Sequence, residues 1–73
     1  MEILFNRGNE AYIVKQNGKF YLVNLISEKA VVAIPPNSPD MFLKFGYFEN
    51  VKKLAEDVTK RIEKIMQAYF SKN

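Results

Sequence analysis

The sequence predicts an α+β fold: an antiparallel four-stranded β-meander packed against one long C-terminal α-helix. Three observations carry this reading. Residues 2–34 are rich in β-formers interrupted by turn residues, and residues 35–40 are a Pro-rich break. Within the first part, Asn17-Gly18 sits between two apolar runs, the strongest short-range hairpin signal, because a type I′ turn needs positive φ at both central positions. After the break, apolar residues from Phe48 to Tyr69 recur at alternating spacings of three and four.

Taken in order, "EILFN" (residues 2–6) is a short first strand, closed by the turn-forming "RGN". The hairpin strands are "EAYIVKQ" (10–16) and "KFYLVNLI" (19–26). "SEK" turns the chain into "AVVAI" (30–34), a fourth strand that Pro35-Pro36 must end. In "NSPDMFLKFG", Ser38 can cap a short helix at 39–45. Pro39 would take its first position, Asp40 would favour the dipole and Gly46 would lie just past the end. Alternation of Met41, Leu43 and Phe45 also suits a strand; the helix is preferred.

The final helix is predicted over residues 48–70. Phe48, Val51, Ala55, Val58, Ile62, Ile65 and Tyr69 form one apolar stripe, widened by Leu54 and Met66. Glu49 with Lys53, Glu56 with Lys60 and Asp57 with Arg61 are i, i+4 pairs in the favoured order, as expected of a solvated back. The stripe suits a helix lying on a sheet, and it also fits three heptads of a coiled-coil seam.

Seventy-three residues make one domain, spanning 1–73, whose margin of stability is thin because a chain this short buries only about 60% of its unfolded surface. Small scaffolds compensate with disulfides, a metal or self-association. The chain has no Cys and no His, which removes disulfides, thiolate ligands and imidazole ligands, and no EF-hand-type loop is present. No metal or cofactor is therefore expected, and self-association is the device left unless the core is unusually well filled, which 48% hydrophobic and 14% aromatic residues would allow. The N-terminus, with Glu2 and no long apolar run, does not read as a signal peptide. No run approaches the roughly 20 apolar residues of a membrane span, and a cytoplasmic location is expected. The net charge of +3 is evenly spread along the chain.

The hairpin raises the functional question. A two-residue turn at Asn17-Gly18 sets Gln16 opposite Lys19, Val14 opposite Tyr21 and Tyr12 opposite Val23, and facing residues share a side of the sheet. One side then carries Tyr12, Val14, Tyr21, Val23 and Leu25; the other carries Ala11, Ile13, Phe20 and Leu22, with Ile26 beyond. Neither reads as wet, and one helix covers only one side. The aliphatic side is expected to take the helix, since it has no hydroxyls needing partners. The tyrosine side then needs another cover: the aromatic segment Met41 to Phe48, a second copy of the chain, or a different macromolecule.

Catalytic motifs are absent. Without His or Cys, and with three isolated glycines, no nucleophile–base pair, Walker A motif or dinucleotide fingerprint can be assembled. Glu56 and Asp57 point in different directions on a helix, and Ser27 and Ser38 read as turn and cap residues. The sequence therefore predicts a small non-enzymatic binding module. It would act in protein–protein interaction as a regulator or inhibitor, of the kind carried by phages and mobile elements, and would self-associate or bind a protein partner. The contact residues would be Tyr12, Val14, Tyr21, Val23 and Leu25, with Arg7, Lys15, Lys19 and Lys29 at the rim.

The alternative is a small nucleic-acid-binding protein. Bases would stack on Tyr12 and Tyr21 while Arg7, Lys15, Lys19 and Lys29 meet phosphates. In element order over about residues 10–66, with "GYFENVKKLAEDV" leading into the helix, the chain resembles in outline two groups of DNA-binding domains. One is the three-stranded domains of phage and transposon integrases; the other is the single-strand binders of the transcription-coactivator type. It departs from an Arg-rich reading strand, since Arg7 is the only Arg outside the final helix. A membrane surface is not an expected partner, because the polar face of that helix mixes both signs of charge.

Overall fold

The two residues of the Asn17-Gly18 turn both have positive φ, 53° and 76°, and they close the hairpin that organises the sheet. The structure is a computed structural model that describes residues 1–35, 38–44 and 48–71. Its elements are β1 (Glu2–Arg7), β2 (Ala11–Gln16), β3 (Lys19–Asn24), β4 (Lys29–Ala33), α1 (Met41–Lys44), β5 (Glu49–Asn50) and α2 (Glu56–Ser71). The strands form one antiparallel sheet in the order β4-β3-β2-β1-β5. The four-stranded meander and the C-terminal helix are as the sequence predicts, and the hairpin register pairs Gln16 with Lys19, Val14 with Tyr21 and Tyr12 with Val23. The short helix forms at 41–44; its expected end at Phe45 and Gly46 lies outside the described residues.

Two expectations are corrected, and β1 carries a feature that no expectation addressed. First, the long helix begins at Glu56, not at residue 48. Phe48 and Val51 match the helical period, but β1 has a free edge there whose backbone groups need partners. The chain supplies them as β5, pairing Glu49 with Asn6 and Asn50 with Phe5, and the Val51 N–H donates to the Leu4 carbonyl at 3.1 Å. Glu49 and Lys53 are therefore not helical neighbours. Arg61 donates to the Leu25 carbonyl at 3.0 Å, and Glu56–Lys60, at 3.4 Å, is the one i, i+4 ion pair among the described residues.

The feature of β1 is a β-bulge. Ile3 pairs with Val14 while Phe5 pairs with Ile13, so Leu4 is the extra residue on β1. Without it, Ile3 and Phe5 would share a side of the sheet. With it, Ile3 joins the side of Val14 and Phe5 joins that of Ile13, and β1 contributes an apolar side chain to both faces.

Second, the face assignment is reversed. α2 lies on the tyrosine face: Tyr12, Val14, Tyr21, Val23 and Leu25 form one core with Ile62, Ile65 and Met66. Tyr12 and Tyr21 are 3% exposed, and Val14 and Val23 are 0% exposed. Burying aliphatic side chains of this size contributes roughly 1.5–3 kcal/mol each. Ile3, Ala30, Val51, Leu54, Val58 and Tyr69 complete the layer, so the helical stripe is occupied by the sheet and leaves no coiled-coil seam. On the opposite face, Phe42 and Phe48 of the aromatic segment supply a cover. The ring of Phe42 in α1 meets those of Phe5 and Phe20 at 5.9 Å and Phe48 at 6.1 Å, on the side of the sheet where Ile13 is buried. The larger apolar face takes the larger cover, and the chain provides a lid for each side.

Candidate functional site

The five residues expected to form a contact surface, Tyr12, Val14, Tyr21, Val23 and Leu25, therefore lie under α2 and are inaccessible to a partner. The four rim residues are not brought together. Arg7, Ala11, Asn24 and Lys29 form one cross-strand row at one end of the sheet. Lys15 and Lys19 are at the other end, beside the hairpin turn, and four residues of strand put the two groups about 13 Å apart. Lys15 Nζ lies 5.7 Å from the Phe20 ring centroid, a cation–π contact within the protein.

With both faces covered over the central strands, the open part of the sheet is its β4 side. β5 shields the β1 edge, but β4 is the last strand on its side, and nothing among the described residues pairs with it there. Alternate residues of such a strand turn their N–H and C=O groups outward, where they can pair with another strand. Proteins usually blunt such an edge with charge, proline or a bulge. β4 has none of these in its interior: its ladder with β3 runs without a bulge from Asn24–Lys29 to Phe20–Ala33, and its only charge is Lys29 at the start. Val31 is 54% exposed, Val32 46% and Ile34, just beyond, 84%; Ile26, in the preceding turn, is 75% exposed.

At the far end of the edge is a hollow of about 350 Å³ lined by Gly18, Lys19, Phe20, Val32, Ala33, Ile34 and Pro35. Apart from the Lys19 side chain, its lining residues are apolar or glycine. An outward strand edge next to a side-chain-sized apolar hollow provides what strand addition requires: main-chain pairing for affinity and a pocket for specificity. The sequence does carry the signal. "AVVAI" lacks polar alternation, and the fourth strand of a meander is an edge by topology; attention to faces alone misses it.

Two other hollows among the described residues offer no convergent chemistry. One of about 520 Å³ lies between Met1, Gln16 and the last turns of α2; one of about 240 Å³ lies among Asn6, Asn9, Tyr12 and residues 49–54. No group of three or more His, Cys, Asp or Glu side chains among the described residues could hold a metal ion. No helix among them is long and apolar enough to cross a membrane. Comparisons with protein-family models, with curated proteins and with solved structures found no match to this chain, and the outline likeness to integrase and coactivator-type domains gains no support from them.

Proposed function

We propose that this protein is a binding module without chemistry of its own, and that it engages a protein partner by adding a strand to the β4 edge. One observation supports this reading above the rest. Among the described residues, four of the six large apolar side chains left exposed (Ile26, Val31, Val32 and Ile34) lie on β4 or the segments flanking it. Apolar exposure gathered in one place on a small protein is characteristic of interaction sites. The edge takes the role that the sequence alone assigned to the tyrosine face. Such a module acts by occupying the strand edge of its target, as a regulator or inhibitor does, and its Cys-free composition fits the reducing cytoplasm. The nucleic-acid reading has less support, since its stacking residues are buried and its cations are divided between two ends of the sheet.

The test is a set of apolar heptapeptides, titrated into isotopically labelled protein and followed through backbone amide signals and exchange rates. Binding should shift and protect alternate amides of β4, and Val31→Lys with Val32→Lys should abolish it. Perturbations confined to α2 or to the β1–β5 side would overturn the reading.

A further inference from the structure

We infer that the strand received by β4 is the β4 of a second copy, paired antiparallel about a twofold axis at Val31, so that two five-stranded sheets become one of ten strands. The inference rests on the edge reading above and adds the occupant and its register.

Symmetry restricts the registers. A twofold axis perpendicular to the sheet sets a residue opposite its own copy, because facing residues must point to the same side. Within β4 the central choices are Ala30, Val31 and Val32. An axis at Val32 would oppose Lys29 to Pro35, which lies beyond the strand and whose ring fixes φ at about −65°, outside the usual antiparallel range. An axis at Ala30 would draw Glu28, held at φ 57°, into the ladder. An axis at Val31 pairs all five strand residues and neither of those. It sets Lys29 opposite Ala33, Ala30 opposite Val32 and Val31 opposite itself, so that no two like charges face each other and a small side chain meets a larger one.

The flanking segments are complementary in the same register. Glu28 of the second copy falls beside Ile34, and Lys19 follows on the next strand, since Phe20 pairs with Ala33. Two strand spacings, about 10 Å between Cα atoms, are within joint reach of a Glu and a Lys side chain. The nearest cation–cation approach along that edge is Lys29 of one copy to Lys19 of the other, two spacings across and one residue along, about 10 Å between Cα atoms. Lys29 is in line with Phe20, so the two lysines lie on opposite sides of the sheet, and the separation exceeds the ~8 Å Debye length of physiological salt. The turn carrying the exposed Ile26 of one copy comes alongside Pro35 of the other, at the mouth of the apolar hollow. A chain without Cys or His has self-association as its remaining device for stabilising a small fold. Five paired residues per copy make a small interface, which belongs with weak, reversible complexes.

The natural absence of Cys supplies the experiment. Directly opposed residues of an antiparallel pair have Cα atoms about 4.5–5.5 Å apart, inside the disulfide range. Val31→Cys should therefore oxidise to a covalent dimer at least tenfold faster than Lys64→Cys on the exposed side of α2. Lys29→Cys should cross-link with Ala33→Cys when the two are mixed but not with itself. Circular dichroism of each reduced variant confirms the fold, and sedimentation of the unmodified chain over about 1 µM to 1 mM should show a dimer that dissociates on dilution. Val31→Cys oxidising at the Lys64→Cys rate, or a dimer that survives Val31→Lys with Val32→Lys, would overturn the proposal. A chain that is monomeric throughout, yet shows β4 amides protected by a peptide, would reject the second copy and keep the edge. No protection of β4 by any strand would reject both.

Discussion

Tyr21 of β3 packs edge-on against Tyr69 of α2, with ring centroids 5.4 Å apart and planes at 66°. Phe70 meets the same Tyr21 ring at 5.4 Å and 74°, so a residue that could have served as an exposed anchor is a keystone between sheet and helix. Tyr21→Ser removes the ring from both contacts and leaves a cavity. Large aromatic truncations in a core cost about 3–5 kcal/mol. A domain of this size has a total stability of about 4–11 kcal/mol. Chemical denaturation should find Tyr21→Ser destabilised by about 3–5 kcal/mol, a loss that unfolds the domain at the lower end of that stability range; a variant with an unchanged midpoint would show that α2 does not rest on this ring.

Phe42 has the equivalent place on the opposite face, touching Phe5, Phe20 and Phe48. It is half-buried, and it belongs to a single turn of helix with little stability of its own. Phe42→Ala should cost about 2–3 kcal/mol, less than Tyr21→Ser, and should leave the far-ultraviolet spectrum intact while the Ile13 face opens. Binding of a hydrophobic dye should rise in the folded variant. If dye binding stays at its original level, the α1 lid is not what closes that face.

The hairpin register was legible because a two-residue turn at Asn17-Gly18 dictates every facing pair, and β2 and β3 pair accordingly. Which face receives the helix was not legible from the same pairs. The argument against tyrosine supposed that its hydroxyl would be stranded, yet no buried side-chain nitrogen or oxygen among the described residues lacks a partner. The Leu4 bulge leaves no mark in "EILFN", since an inserted residue is defined only against its partner strand. β5 was hidden because Phe48 and Val51 fit the period of the helix that follows, and only the unpaired edge of β1 decides otherwise. The β4 edge follows from meander order alone, so the candidate site was readable in principle.

Gly18 tests the turn that sets this register. At φ +76° it has nothing within 4 Å of where a Cβ would stand, so substitution meets no neighbour, and its cost is purely conformational. Gly18→Ala should lower stability by about 1–2 kcal/mol, the penalty of the left-handed region for a residue with a Cβ. Asn17, already an asparagine at φ 53°, is among the residue types that bear this region best, and Asn17→Gly should change stability much less. Equal losses at both positions would mean that a side-chain contact holds the turn.

Glu28 separates the stability of the chain from its association. The residue stands at φ 57° in the turn between β3 and β4, where Asn24 Oδ1 accepts from the N–H groups of Ile26 and Ser27 at 2.8 and 3.0 Å. These bonds hold the turn without Glu28, whose own backbone is strained. Glu28→Gly should relieve the strain and raise monomer stability by about 0.5–1 kcal/mol, partly offset by the added freedom of the unfolded chain. The same change removes the carboxylate that faces Lys19 across the inferred twofold, so the dimer should weaken and its association should lose salt dependence. Glu28→Gln keeps the strained backbone and removes the charge alone. It should match Glu28→Gly in association and the unmodified chain in stability. If Glu28→Gln leaves association unchanged at low salt, then Glu28 and Lys19 do not meet, and a twofold at Val31 loses its electrostatic support.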